Sequence, residues 1–241
     1  MSTDNRVARW SAVEPFMNAD WDARQESAAQ IAGRLGPTMT AIGAVFGGGL
    51  AWEGDEPSTH IDPDNDAELE RIIQEAVYRD DDGDLFPQKG FQLSVSGRRR
   101  GYIVSLRLGV GSSVSGRNRP SNRIHVKFNS GPRSVDVMEA TLLVVATWWQ
   151  PASIAATDHD TIILTGDMVR FAPAIGQRMW LRDDVGTISS APAGVRVEPI
   201  GGGTLLATDD DWTPQQAVDA LKTTLADNNI TTIPREPQPR N

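Results

Sequence analysis

Cysteine is absent from this 241-residue chain, which excludes a disulfide framework, thiolate metal sites and a thiol nucleophile together. That fits a reducing compartment and predicts a cytoplasmic protein. Long hydrophobic runs are lacking too. The most apolar stretches, "AIGAVFGGGLAW" and "TLLVVATWW", fall well short of the roughly 20 residues a membrane span needs. The opening "MSTDNRVARW" has no apolar signal core, so neither a membrane role nor export is expected. Histidine is scarce: His60, His125 and His159 stand far apart, with no His-Glu-x-x-His or His-x-His pair. A metal hydrolase, which needs carboxylates converging with His or Lys on a pocket, has little to build on. No metal and no cofactor is expected.

Acidic residues are missing from one long segment and crowded into another. From Gly97 to Arg133 there are nine Lys or Arg and no acid, whereas Leu50 to Phe86 carries thirteen acids against two Arg. The net charge of −9 therefore conceals a strongly polarised surface. An acidic chain repels nucleic acid at long range, so a nucleic-acid adaptor would depend on the basic segment alone.

With 39% hydrophobic residues and seven Trp, the chain has enough apolar matter to bury a core, and disorder is confined to its ends. Trp21, Ala28, Ile31, Ala32 and Leu35 have helical spacing, predicting a helix over 20–35 that Gly36 and Pro37 stop. "TMTAIGAVFGGGLAW" can hold a short second helix before its glycines. Pro63 sits at an expected first helical position, ahead of the stripe Leu69, Ile72, Ile73, Ala76 and Val77. The period then changes to two. Phe91, Leu93 and Val95, then Tyr102 to Val110, then Ile124, Val126 and Phe128 predict a three-stranded antiparallel meander. Its open face would carry Gln92, Ser94, Ser105, Arg107, His125 and Lys127. "SVDVMEATLLVVATWW" reads as a buried helix capped by Ser134; "TIILT", "VRVEPI" and "TLLAT" read as strands. A last helix opens with Thr213, Pro214 and Gln216 in a capping box. The expected architecture is α+β, an antiparallel sheet packed against helices in a single domain over residues 19–233, with an N-terminal arm (1–18) and a disordered tail (234–241).

Most motif chemistry fails on spacing. "DPDNDAELERII" places Asp62, Asp64 and Asp66 at calcium-loop positions one, three and five, but Ala67 replaces the required Gly and Ile73 the required Glu. In "YRDDDGDLFPQK" the alignment that puts Gly83 sixth leaves Tyr78 first and Lys89 last, without a ligand at either end. "GVGSSVSGRNR" matches neither phosphate-loop fingerprint and leads into a strand where those motifs need a helix. "DHD" at Asp158 to Asp160 reads as a solvated turn. The basic segment, with "GRRRG", Arg117, Arg119, Arg123 and Lys127, lacks aromatic stacking residues on its polar face; its arginines can equally be ordinary surface ion pairs.

Protein recognition remains. Trp52 in "LAWEGDEP" is either an aromatic interface anchor or a core side chain. Asp80, Asp81, Asp82 and Asp84 lie just after a helix, where negative charge opposes the helix dipole and invites a compensating role. The candidate partner-binding set is Trp52, Glu53, Asp55, Glu56, Asp80, Asp81, Asp82 and Asp84, with no catalytic residue assigned. The alternatives are a metal-dependent hydrolase using the same carboxylates and a nucleic-acid adaptor using Arg98 to Lys127.

Taken in order, "DWDARQESAAQIAGRL" with Trp21 and Arg24, the isolated Trp52, the acidic turn "RDDDGDLFPQKGFQLSV", "LGVGSS", "SNRIHVKFNSGP", "MWLRDDVGTI" and "GVRVEPIGGGTLLAT" resemble the immunity protein 52 family of bacterial polymorphic toxin systems. The resemblance spans residues 19–233 and departs from the family at "SGRRRG" and "SVSGRNRPSN". It implies a non-enzymatic cytoplasmic antidote that binds a cognate toxin effector, commonly one with a restriction-endonuclease-like nuclease domain. An acidic ridge from Trp52 to Asp84 would suit the basic DNA groove of such a nuclease.

Overall fold

"FMNADW" alternates apolar and polar side chains, and it forms the strand on which the whole sheet is centred. In the computed structural model, which describes residues 14–54, 60–130, 134–166 and 170–235, this strand is β1 (Phe16–Trp21). After it come α1 (Ala28–Val45), β2 (Ala51–Glu53), β3 (His60–Ile61), α2 (Asp66–Glu75), β4 (Phe91–Arg99), β5 (Tyr102–Val110) and β6 (Asn122–Ser130). The second half adds α3 (Val135–Trp149), β7 (Ser153–Thr157), α4 (His159–Thr165), β8 (Arg178–Arg182), β9 (Val195–Ile200), β10 (Gly203–Thr208) and α5 (Pro214–Asp227). The ten strands make one sheet in the order β3-β2-β4-β5-β6-β1-β7-β8-β10-β9, antiparallel at each pairing. The expected α+β architecture is therefore present. The meander β4-β5-β6 follows the period-two pattern, while β1 starts inside the segment read as an arm and joins that meander to β7.

Because side chains alternate across a strand, the register sorts them into rows. One row runs Leu93, Leu108, Ile124, Ala19, Ile154, Trp180, Leu205. It is buried throughout and belongs to the main core, along with the inner residues of α1, α2 and α3. The row on the other face runs Ser94, Arg107, His125, Asn18, Ala155, Met179, Leu206. It is polar from β4 to β1 and apolar from β7 onward. The apolar half lies under α5, where Met179, Leu181 and Leu206 pack on Val218, Leu221 and Leu225 in a second core.

Helix α1 starts later and runs further than periodicity suggests. Its N-terminus is a capping box in which the Gln30 amide donates to Ser27 Oγ (3.2 Å) and the Ser27 amide to Gln30 Oε1 (2.9 Å). Trp21 lies in β1 and Arg24 in the connection, neither on a first helix. Pro37 is inside the helix and does not stop it. An interior proline costs about 3 kcal/mol, but burying an Ile or Met side chain contributes roughly 1.5–3 kcal/mol. Met39 and Ile42, both fully buried beyond the proline, offset that cost. Thr38 adds a tie: its hydroxyl donates to the Arg34 carbonyl (2.7 Å) and accepts from Trp149 Nε1 (2.9 Å) on α3. Gly36 serves packing, since a Cβ there would lie 2.4 Å from the Pro63 carbonyl oxygen. The helix ends at Gly47 to Gly49, all at positive φ, where Arg99 Nη1 donates to the Phe46 and Gly48 carbonyls (3.0 and 2.9 Å).

Two other expectations shift. Pro63 precedes α2, whose N-cap is Asn65. "TIILT" belongs to helix α4: Asp158 caps it by accepting from the Thr161 amide (2.7 Å), and Gln177 Nε2 donates to Thr161 Oγ1 (2.6 Å). Local capping and this buried amide override the β propensity of the run. No helix among the described residues is long and apolar enough to cross a membrane.

Candidate functional site

The acidic cluster is a small hairpin beyond α2, not the helix's last turn, because the helix is already capped at Ala76. Bridges Val77 to Phe91 and Arg79 to Leu85 fix its arms. At the tip, Asp80 Oδ1 accepts from the Asp82 and Asp84 amides (3.1 and 2.9 Å), and the Gly83 amide donates to the Asp80 carbonyl (3.0 Å). Gly83 takes the left-handed conformation that the turn requires (φ +88°), and Arg79 Nη1 donates to its carbonyl (3.1 Å). At the base, Lys89 Nζ lies 4.5 Å from the Tyr78 ring centre and 4.7 Å from that of Phe86, two cation–π contacts. Asp80 is thus the turn's internal brace. Asp81, Asp82 and Asp84 are exposed, with no ion-pair partner among the described residues, and Leu85 beside them is 53% exposed.

The rest of the candidate set does not join this knob. Trp52 is only 2% exposed, and its ring would be 3.0 Å from a Cβ at Gly97. It is a core side chain resting on a strand glycine, which corrects its reading as an interface anchor. Glu53 pairs with Arg98 (2.8 Å) opposite Ser96. The acidic hairpin abuts Phe91, so the two lie toward opposite ends of β4, about 17 Å apart at the usual strand rise. Asp55 and Glu56 lie outside the described residues. Among the described residues no three His, Asp or Glu side chains are placed to hold a metal ion.

A second site occupies the polar half of the sheet face. A groove of about 660 Å³ lies over Gln92, Ser94, Arg107, Gly109 and His125, with Asn18 at one side and the 119–121 loop with Arg123 at another. His125 Nδ1 is 2.9 Å from Asn18 Oδ1, and Arg123 Nε donates to Asp20 (2.6 Å). The loop is anchored below by Asp22, which accepts from the Ser115 hydroxyl and from the Gly116 amide (3.2 Å). Asn122 Nδ2 donates to the Asp22 carbonyl (2.8 Å). Burial, followed by Arg107, Arg123 and Lys127, pushes the His125 pKa below its ordinary value. Burial raises Asp20 above the ordinary carboxylate value, against the opposing pull of Arg123. The strand pattern anticipates Arg107, Ser94 and His125 here. It does not reach Asn18 and Asp20, whose signal was the alternation in "FMNADW".

The third polar cluster is structural. Arg178, 4% exposed, donates to Glu139 Oε2 (2.8 Å) and the Thr208 carbonyl (2.8 Å) and pairs with Asp210. It ties α3 to the β8–β10 pair, and Arg196 holds Glu139 from outside (2.6 Å).

These features define an antiparallel α+β protein with an exposed acidic hairpin and a separate basic groove. No protein-family model matches the chain, and no curated protein matches it. Among solved structures it is similar to the "Pseudomonas aeruginosa T6SS protein PA0821", at 11% identity and a TM-score of 0.47, over 88% of this chain and 73% of that one.

Proposed function

We propose that this chain is an immunity protein: a non-catalytic antidote that binds a cognate toxin effector, a restriction-endonuclease-like nuclease in the fuller form of the reading, and blocks it by contact. The observation that supports it is the hairpin at 78–90. Its exposed carboxylates stand on a turn braced by Asp80, Arg79 and Lys89, with Leu85 as an adjacent apolar contact. A prebuilt charged surface loses little conformational entropy on binding, and its field accelerates encounter with a basic partner. The resemblance of the chain to an immunity family points the same way. Contact is assigned to Asp81, Asp82, Asp84 and Leu85, with Asp80 positioning them.

The test combines the purified protein with the toxin domain encoded beside it and measures affinity and residual nuclease activity. Nanomolar binding with lost activity is expected; no binding at micromolar concentration rejects the reading. Replacing Asp81, Asp82 and Asp84 together by Ser should slow association by roughly tenfold at low salt and flatten its salt dependence, with the melting temperature unchanged. An unaltered association rate would remove the hairpin from the mechanism.

A further inference from the structure

We propose that the groove on the open sheet face binds a small phosphomonoester, with Arg107, Arg119 and Arg123 gripping the phosphate and Asn18, Gly109 and His125 forming the floor beneath it. Charge pairing is the first argument. Arg34, Arg71, Arg98, Arg182 and Arg196 each hold a carboxylate and Arg79 and Arg99 hold backbone carbonyls, whereas Arg107 and Arg119, like the exposed Arg100, Arg117 and Arg170, have no carboxylate within ion-pair distance among the described residues. Asp20 pairs with Arg123 and also attracts Arg119, yet three guanidinium groups border a groove whose own lining contains no carboxylate. That arrangement repels itself when empty and matches the double negative charge of a phosphomonoester, which arginine can bind bidentately.

Shape and lining narrow the ligand further. The groove's volume of about 660 Å³ lies within the range of small-molecule sites. Gly109 occupies a row position between Gln92 and Arg123, and a Cβ there would meet nothing within 4 Å. The missing side chain leaves depth at the centre of the floor. Amide and hydroxyl groups of Gln92, Ser94 and Asn18 line the remainder and suit a hydroxylated body such as a sugar. No Phe, Tyr or Trp ring lines the groove to stack a base. The net charge of −9 disfavours a long polyanion, most of whose charge would lie outside the groove. A single strand of nucleic acid is therefore the disfavoured occupant.

The experiment titrates the full chain with inorganic phosphate, with glucose 6-phosphate and with a twelve-nucleotide single-stranded DNA, following the His125 ring and arginine side-chain signals by NMR. Both phosphates should shift these signals saturably below about 10 mM. Arg107→Gln should weaken both by about fivefold or more. Gly109→Leu, which adds a side chain into open space, should hinder glucose 6-phosphate more than phosphate while leaving the fold's spectrum intact. No shift at about 20 mM phosphate, or binding that survives both substitutions, overturns the proposal. So does DNA that saturates the same signals more tightly than glucose 6-phosphate. Toxin binding by Arg107→Gln should equal that of the wild type, so this site and the acidic hairpin fail or stand separately.

Discussion

Arg178 and Arg196 both grip Glu139, but removing them should not cost the same. Arg178 is buried among a carboxylate on each side and a backbone carbonyl, so its replacement by Ala breaks a desolvated network, a loss of about 3 kcal/mol. Arg196 is half exposed, and its replacement should cost less than about 1 kcal/mol. Urea midpoints of the two variants measure the difference, and equal losses would show that Arg178 is not a structural tie. His125 makes a pH-dependent prediction. The unfolded imidazole protonates near the usual value of about 6.5, while the folded one resists until lower pH. Between those points the unfolded chain binds more protons, so stability falls as pH drops through the window. Asp20, raised by burial, has the opposite sign: it favours the folded state as pH falls past the carboxylate range. The wild type minus His125→Asn difference isolates the imidazole, and should shrink steadily from pH 7 towards about pH 5. Parallel stability curves would reject the assignment.

At the scale of the element, α1 offers a matched pair of glycines. Gly33 is exposed, with open space where a Cβ would go, whereas a Cβ at Gly36 would press on the Pro63 carbonyl. Gly33→Ala should stabilise by up to about 1 kcal/mol through helix propensity. Gly36→Ala gains the same propensity yet should destabilise by about 1–3 kcal/mol, because backbone must move to admit it. Thermal melts of both variants decide; a gain at both positions would mean that the α1 contact with the Pro63 segment does not constrain the fold. The same helix shows why local signals misled at this point. A Gly-Pro pair usually ends a helix, but here the glycine admits a neighbouring backbone and the buried residues beyond offset the proline. The α4 segment misled in the other direction, its β-branched run being governed by the Asp158 cap and the Gln177 amide.

Across the whole molecule, β1 holds together two strand groups that are each nearly continuous in sequence. β6 and β7 both pair with it, and Met17, Ala19 and Trp21 belong to the main core. Ala19→Asp, which buries a charge beneath the helices, should therefore unfold both groups in one transition. Hydrogen exchange would show the β5 and β8 amides losing protection together; selective loss in one group would mean that the halves are independent. Charge is divided at this scale as well. The acidic hairpin extends beyond α2, the basic groove lies on the sheet face opposite α1, α2 and α3, and each has its own proposed ligand.

The period-two runs at 91–95, 102–110 and 124–128, the α2 stripe and the capping signals at Ser134 and Thr213 determined most of the meander and three of the helices, because these features depend on near neighbours alone. The exposed polar face of the meander was legible on the same basis. What only the tertiary structure decided depends on distant partners. Trp52 is inside because Gly97, 45 positions along, leaves room for its ring. "FMNADW" sits at the sheet's centre because strands more than 100 and more than 130 residues onward close on it. Arg107 comes into line with His125 and Asn18 because strand register pairs them, while Arg119 reaches the same groove from a loop held by Asp22, and pairings of that range carry no periodic signature in the chain.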